Sequence, residues 1–426
     1  MRNIIILVLA AVGILMPRVS YGNEAISVKE AVQLAISANP GYAAQKAHAR
    51  ALAEIPAQVG TLPDPVLSVN AMNLPVASFS ITDENMTQLQ VGYSQALPFP
   101  GKLGLRKQAA ESRAKASQFD TSEFLLKLER NVRISWWNLF YLDRAIEIVG
   151  LNQNLLRGFI RIAEIKYKLG KGLQQDVLLA QLELSKLLDV EISLISARRE
   201  VEADFNALLN RPAIVPVAIS EKINEDIPSV PDEAELNMIA VKNRPLLASR
   251  SEEIGSAEAE VELAKKDYYP DFKLGAVYGN RSGNNPVNGE GRSDLSSLMF
   301  SMNLPIFTST KQDRRLEQRF AEHARSKFYL QDAKESVLAE VSRAFADYNK
   351  AREQADLFKN GIIPQATQTV ASMLAGYQVN KVDFLNLVRS QVTLYNYETQ
   401  YWKKQAEANQ ALARLTAATG KEIINE

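Results

Sequence analysis

Two stretches of this chain, each of roughly 200 residues, carry the same landmarks in the same order. Ala38-Asn39-Pro40 is answered by Lys242-Asn243-Arg244-Pro245, Pro63-Asp64 by Pro270-Asp271, and Leu97-Pro98 by Leu304-Pro305. Tyr167-Lys-Leu-Gly170 with Gln181 is answered by Tyr377-Gln-Val-Asn380 with Gln391. The offset drifts slowly from about 205 to about 210 residues, as expected of a tandem duplication. The fold must therefore be two copies of one unit, expected over 23–215 and 216–426, with residues 1–22 ahead of them.

Each unit reads as a short helix, two strands, a long helix and a returning helix. Helical patterning runs over about 27–60, 101–168 and 173–209, then over 232–267, 310–378 and 382–418. The middle helix of each unit extends about 100 Å at 1.5 Å per residue, and the two flanking helices stacked end to end nearly match it. Leu125, Leu128, Val132, Ser135, Leu139, Leu142, Ile146 and Val149 alternate spacings of three and four. Leu173, Val177, Ala180, Leu184, Leu187, Leu194, Val201, Phe205 and Leu208 answer on the next helix, interrupted by Glu191 and Arg198. A period near 3.5 residues imposes left-handed supercoiling on neighbouring helices.

The strands are expected at about 64–74, 87–97, 270–280 and 295–305. Leu89, Val91 and Tyr93 alternate with Gln88, Gln90 and Ser94, and Leu298, Phe300, Met302 and Leu304 alternate with Ser297, Met299, Ser301 and Asn303. Leu67, Val69 and Ala71 with Phe272, Leu274, Ala276 and Tyr278 supply the partners. Ten-residue segments with one greasy face suit a tilted membrane strand with lipid on one side and water on the other. Four such strands cannot close on themselves, and open edges are not tolerated in hydrocarbon. Two copies would give eight strands and a filled lumen; three give twelve and a wider one, so a homotrimer is expected.

The start of the chain reads as a secretory signal: Arg2, an apolar run from Ile4 to Leu15, then Ser20 and Gly22. That run is too short to span a bilayer as a helix. The absence of cysteine excludes an N-terminal lipid anchor, disulfides and thiolate metal sites together. Lys and Arg number 49 against 49 Asp and Glu, which gives no reason to expect a nucleic-acid partner. His48 and His323 are the only histidines, and no nucleophile, acid–base pair or metal cluster stands out. Neither enzymatic activity nor a cofactor is expected. A secreted coiled-coil or adhesin would explain the heptads and the signal, but not four duplicated amphipathic strands.

The export signal, the duplicated helix-strand-strand-long helix-helix unit and the Tyr-x-x-Gly segment together resemble the TolC-type outer-membrane efflux family over essentially the whole mature chain. The resemblance implies a trimeric twelve-stranded barrel in the outer membrane, in contact with its lipid, standing on a long periplasmic coiled-coil barrel of helices. It implies a periplasmic adaptor and an inner-membrane pump of the resistance-nodulation-division type as partners. TLPDPVLSVNAMNLP and SQALPFPGK look most like members paired with heavy-metal and other cation exporters; drug efflux and type I protein secretion are the rival roles for such a conduit.

In that family the turns joining long and returning helices form the periplasmic aperture. By motif they are Tyr167 to Asp176 and Tyr377 to Asn386 here. Gly170 and Gly172 suit a helix stop and a sharp reversal. The resemblance assigns Gln175 and Asp176 from one turn, and Tyr377 and Lys381 from the other, to polar contacts that hold the aperture shut. Asp383, Asn386 and Arg389 follow the second turn. Where related channels carry inward acidic rings, VDFLNLVRS offers Asn386 and Arg389, which argues against a cation-selective aperture.

Overall fold

The structure is a computed structural model that describes residues 25–423 except 221–222 and 286; the expected signal peptide lies outside the described residues. A capping box opens the first helix: Glu30 takes the Ser27 amide proton at 2.9 Å while the Ser27 hydroxyl accepts from the Glu30 amide. The first repeat then runs α1 (Val28–Ala38), α2 (Pro40–Ala53), α3 (Ile55–Gly60), β1 (Val66–Met72), β2 (Gln88–Leu97), α4 (Lys102–Lys168) and α5 (Gln174–Leu208). The second runs α6 (Glu233–Asn243), α7 (Pro245–Lys266), β3 (Phe272–Asn280), β4 (Leu295–Met302), α8 (Gln312–Leu357), α9 (Ile363–Gln378) and α10 (Phe384–Thr419).

Helix α4 is 67 residues long, about 100 Å. The run from Gln312 to Gln378 begins and ends at its repeat-related positions, but a π-helical turn at Phe358–Ile362 divides it into α8 and α9. Pro364 lies immediately beyond that turn. Proline brings no amide hydrogen to the ladder, and a widened turn accommodates the lost bond. The short helices expected over 27–60 and 232–267 break at Pro40, near Pro56 and at Pro245, because the residue before a proline is pushed out of the helical region.

Those breaks are splices between stacked helices. Asn39 accepts from the Tyr42 amide at 3.0 Å, capping α2, and donates to the Leu208 carbonyl at 3.0 Å, closing the end of α5. Its counterpart Arg244 sits between the end of α10 and the start of α7. It donates to the Ala417 carbonyl, binds Glu123 through Nε at 2.8 Å and Nη2 at 2.9 Å, and reaches Glu340 at 3.1 Å. Arg244 and Glu123 are both buried. Gly420, with φ 71°, ends α10 here; a Cβ on it would lie 2.7 Å from the Asn243 carbonyl oxygen. Each pair of shorter helices thereby becomes one column beside its long helix.

The four strands form one antiparallel sheet in the order β1-β2-β3-β4, with β2 paired to β3 across the repeat boundary from Leu89↔Asn280 to Leu97↔Phe272. The register puts Leu67, Val69 and Ala71, Leu89, Val91 and Tyr93, Phe272, Leu274 and Tyr278, and Leu298 and Phe300 on one face. The other carries Ser68, Asn70, Gln90, Ser94, Ser297, Ser301 and several glycines. At Gly279 a Cβ would fall 2.0 Å from Gln88 Oε1, so the glycine leaves the Gln88 side chain room to lie across it. At the far end, Arg292 donates to the carbonyls of Glu84 at 2.9 Å and Ser282 at 3.0 Å, joining the two outer loops.

Among the described residues the helical part has three apolar clusters. One is built around Trp136, Trp137, Phe140 and Phe205, one around Leu236, Val337, Val341 and Leu415, and one near the hairpin tips around Leu156, Phe159, Tyr377, Phe384 and Leu387. Trp136 is used in packing, its indole donating to the Ile26 carbonyl at 2.8 Å. Glu191 and Arg198, which interrupt the heptads, bond back to α4: Glu191 accepts from Gln153 at 2.7 Å and Arg198 pairs with Asp143 at 2.5 Å. Replacing Arg244 by Ala should destabilise the protein by about 3 kcal/mol, because buried Glu123 is left with only the exposed Lys127, at 3.3 Å, as a charged partner. Asn39→Ala should cost only about 1 kcal/mol. Denaturant unfolding of the detergent-solubilised protein, followed by circular dichroism, checks the contrast.

Candidate functional site: the paired hairpin tips

The two turns that reverse the long helices share one backbone construction. In the first, Lys171 N–H bonds to the Lys166 carbonyl at 2.8 Å and Gly170 N–H to the Tyr167 carbonyl at 2.9 Å. In the second, Lys381 N–H bonds to the Gly376 carbonyl at 2.9 Å and Asn380 N–H to the Tyr377 carbonyl at 3.1 Å. Both are Schellman motifs, with Gly170 (φ 69°) and Asn380 (φ 61°) at the left-handed position. The Tyr-x-x-Gly/Asn signature is thus a helix stop, the tyrosine supplying an orphan carbonyl and the last residue the reversal.

The motif forces a close approach two residues later, and each turn meets it with one glycine placed on opposite sides. A Cβ on Gly172 would lie 2.9 Å from Lys166 Cβ, whereas a Cβ on Gly376, the repeat counterpart of Lys166, would lie 2.6 Å from Val382 Cγ2. Val382 is itself the counterpart of Gly172. Because the glycine of the first turn is at 172, position 166 is free to carry a long side chain. Lys166 uses that freedom to reach the other hairpin: its ammonium donates to the Tyr377 carbonyl, to Asn380 Oδ1 at 2.7 Å, and lies 4.1 Å from the centre of the Tyr377 ring. A cation at the carbonyl end of α9 also favours the helix dipole.

Tyr377 is buried, its ring 5.1 Å from that of Phe384, and its hydroxyl has no hydrogen-bond partner among the described residues. Burial and then the Asp176 carboxylate push the Tyr377 hydroxyl up from its ordinary pKa. Burial first, and then the nearby Asp383, push the Asp176 carboxyl up, against a lowering contribution from Lys166. Asp176, Tyr377 and Lys166 therefore form one electrostatic group joining the two hairpins. Deeper in the same seam, Gln391 donates to Asn152 at 2.7 Å, a buried polar pair of the kind that sets helix register.

The remaining residues singled out in the sequence are differently placed. Gln175, Lys381, Asp383, Asn386 and Arg389 are exposed at the tip. Asp383 starts α10 in extended conformation without a side-chain cap. Sequence reasoning passed over Lys166. The signal was there in the mismatch between repeats, Lys166 against Gly376 and Gly172 against Val382.

A model of the outer membrane efflux protein family matches residues 238–421. No curated protein matches the chain in sequence. Among solved structures it is similar to the outer-membrane channel OprN, at 16% identity and TM-score 0.77, over 92% of this chain and 89% of that one. It is similar to the open state of the MtrE outer membrane channel of Neisseria gonorrhoeae, at 16% identity and TM-score 0.78, over 93% of this chain and 89% of that one. For the outer membrane protein VceC of Vibrio cholerae the values are 16% identity and TM-score 0.75, over 93% and 97%.

Introducing a Cβ by Gly376→Ala should loosen the second turn, raising amide exchange across 377–386 relative to the parent. Adding Val382→Gly, which reproduces the arrangement of the first turn, should return much of the protection. Hydrogen exchange read by mass spectrometry checks both steps. The chain has the fold of the TolC-type outer-membrane channels over nearly its whole length, and residues 238–421, within its second repeat, match the outer membrane efflux protein family model.

Proposed function

We propose that three copies of this chain form the passive outer-membrane conduit of a tripartite efflux system. The observation that carries this reading is the sheet: four strands, apolar on one face, with β1 and β4 unpaired at its edges. Backbone groups at such edges cannot stand in hydrocarbon, and β1 of one copy beside β4 of the next closes the barrel. The helices lend support, since α5 exposes a stripe of Leu178, Leu182, Ile192 and Ile195 that nothing in one protomer covers. A second copy is the economical cover.

Cargo enters in this reading from an inner-membrane pump through a periplasmic adaptor that meets the hairpin tips. Heavy-metal cations are the proposed cargo, on the resemblance of the segments around Pro63 and Pro98. Selection among cargoes is assigned to the pump and adaptor, and the chain contributes passage and closure. Closure is assigned to the group of Lys166, Asp176 and Tyr377. The Lys166–Asn380 contact is exposed and of the kind that contributes about 0 to 1 kcal/mol. Three protomers and a docked partner make so weak a latch both closed at rest and openable.

Planar-bilayer recording of the purified protein, beside its mass in detergent, tests the reading. Trimers with small, rare openings are expected; a monomer without conductance would return the chain to a secreted coiled-coil role. Replacing Lys166 by Met, which removes the bridge to Tyr377 and Asn380, should raise the open probability severalfold; unchanged conductance in that variant sinks the latch. Because the folded tip holds the Asp176 carboxyl above its ordinary pKa, the ionised form burdens the closed state at neutral pH. That burden lifts as pH falls through the raised value. Mild acidification should lower the open probability, and Asp176→Asn should remove the response.

A further inference from the structure

The four strands contain 34 residues, and one of them is charged: Lys273, in the second position of β3. Register places it on the polar face. It stands opposite Ala96 of β2 and Ser301 of β4, in line with Gly275 and Val277, while Phe272 and Leu274 on either side of it point to the apolar face. The side chain is exposed, and among the described residues no hydrogen bond or ion pair holds it.

Its acidic neighbours are committed elsewhere. Asp271 accepts from the Phe99 amide at 2.7 Å and pairs with Lys102 at 3.0 Å. Asp267 pairs with Lys102 at 3.2 Å and Arg315 at 3.1 Å. Asp64, just before β1, lies at the same end of the sheet but two strands away, about 10 Å at the usual strand spacing. That is beyond the Debye length of about 8 Å at physiological ionic strength.

We propose that Lys273 determines the ion preference of the barrel: three copies form a ring of unneutralised ammonium groups inside its periplasmic mouth, favouring anions and opposing cations. The proposal rests on the trimeric-channel reading, since one protomer supplies a single lysine and no lumen. A lysine on the polar face avoids the cost of a charge facing lipid. Without a carboxylate partner its field is directed at whatever passes. A cation meets the same repulsion in either direction, and one driven outward by a pump gains no binding site at which to linger.

The test is the reversal potential of single openings in a potassium chloride gradient centred near 0.1 M, for the parent, K273Q and K273R. The parent should be the more anion-preferring, and K273Q should raise the cation-to-anion permeability ratio roughly threefold. K273R should match the parent, and the difference between parent and K273Q should fade near 1 M salt, where the Debye length is about 3 Å. Asp64 is common to all three proteins, so the change reads Lys273 alone. Conducting trimers whose permeability ratio is the same in parent and K273Q overturn this proposal and leave the channel reading standing. A protein that neither trimerises nor conducts overturns both.

Discussion

A strand in hydrocarbon has nowhere to send its amide and carbonyl groups except to another strand. The architecture follows from that constraint. Within the protomer, β2 and β3 satisfy each other across the repeat boundary, which ties the two halves of the chain into one sheet. The outer edges of β1 and β4 are left over, and in the proposed channel further copies complete them. The same pairing fixes where the helices begin: α4 leaves the end of β2, and Lys102 at its start is buried against Asp267 and Asp271 at the end of α7 and the start of β3. Strand thus becomes helix through an ion-paired junction rather than through bare backbone.

Below the sheet the problem is length. A column matching α4 could be one helix, but in both repeats it is assembled from two pieces joined at a polar residue before a proline. The joints differ in chemistry. Asn39 closes two helix ends with two neutral hydrogen bonds, while Arg244 closes only the end of α10, from an ionic cluster with buried Glu123 and half-exposed Glu340. Buried clusters of this kind are costly to break and contribute less net stability than their contacts suggest. The duplication has therefore kept the geometry of the splice while changing its chemistry.

The tips show the same logic at the functional end. One backbone motif, used twice, requires one glycine at a close approach, and the repeats place it at 172 and at 376. That choice decides which hairpin can present a side chain to the other, and it gives Lys166 its bridge to Tyr377 and Asn380. Asymmetry between the duplicated halves is what lets one hairpin reach the other, since symmetry already accounts for the fold.

Much of this was legible from the residues alone. Landmark prolines, alternating strands and heptads are local, periodic signals, and each is read from the geometry of its own element. They determined the duplicated unit, the amphipathic sheet and its inability to close alone. Tertiary structure decided what depends on residues far apart in sequence: that Asn39 and Arg244 are splices, that the π-turn before Pro364 interrupts the second long helix, and that Lys166 rather than Gln175 or Lys381 joins the hairpins. The physical reason is reach. A hydrogen bond or an ion pair between residues 121 to 214 positions apart leaves no periodicity in the sequence, so it becomes visible only when packing brings distant segments side by side.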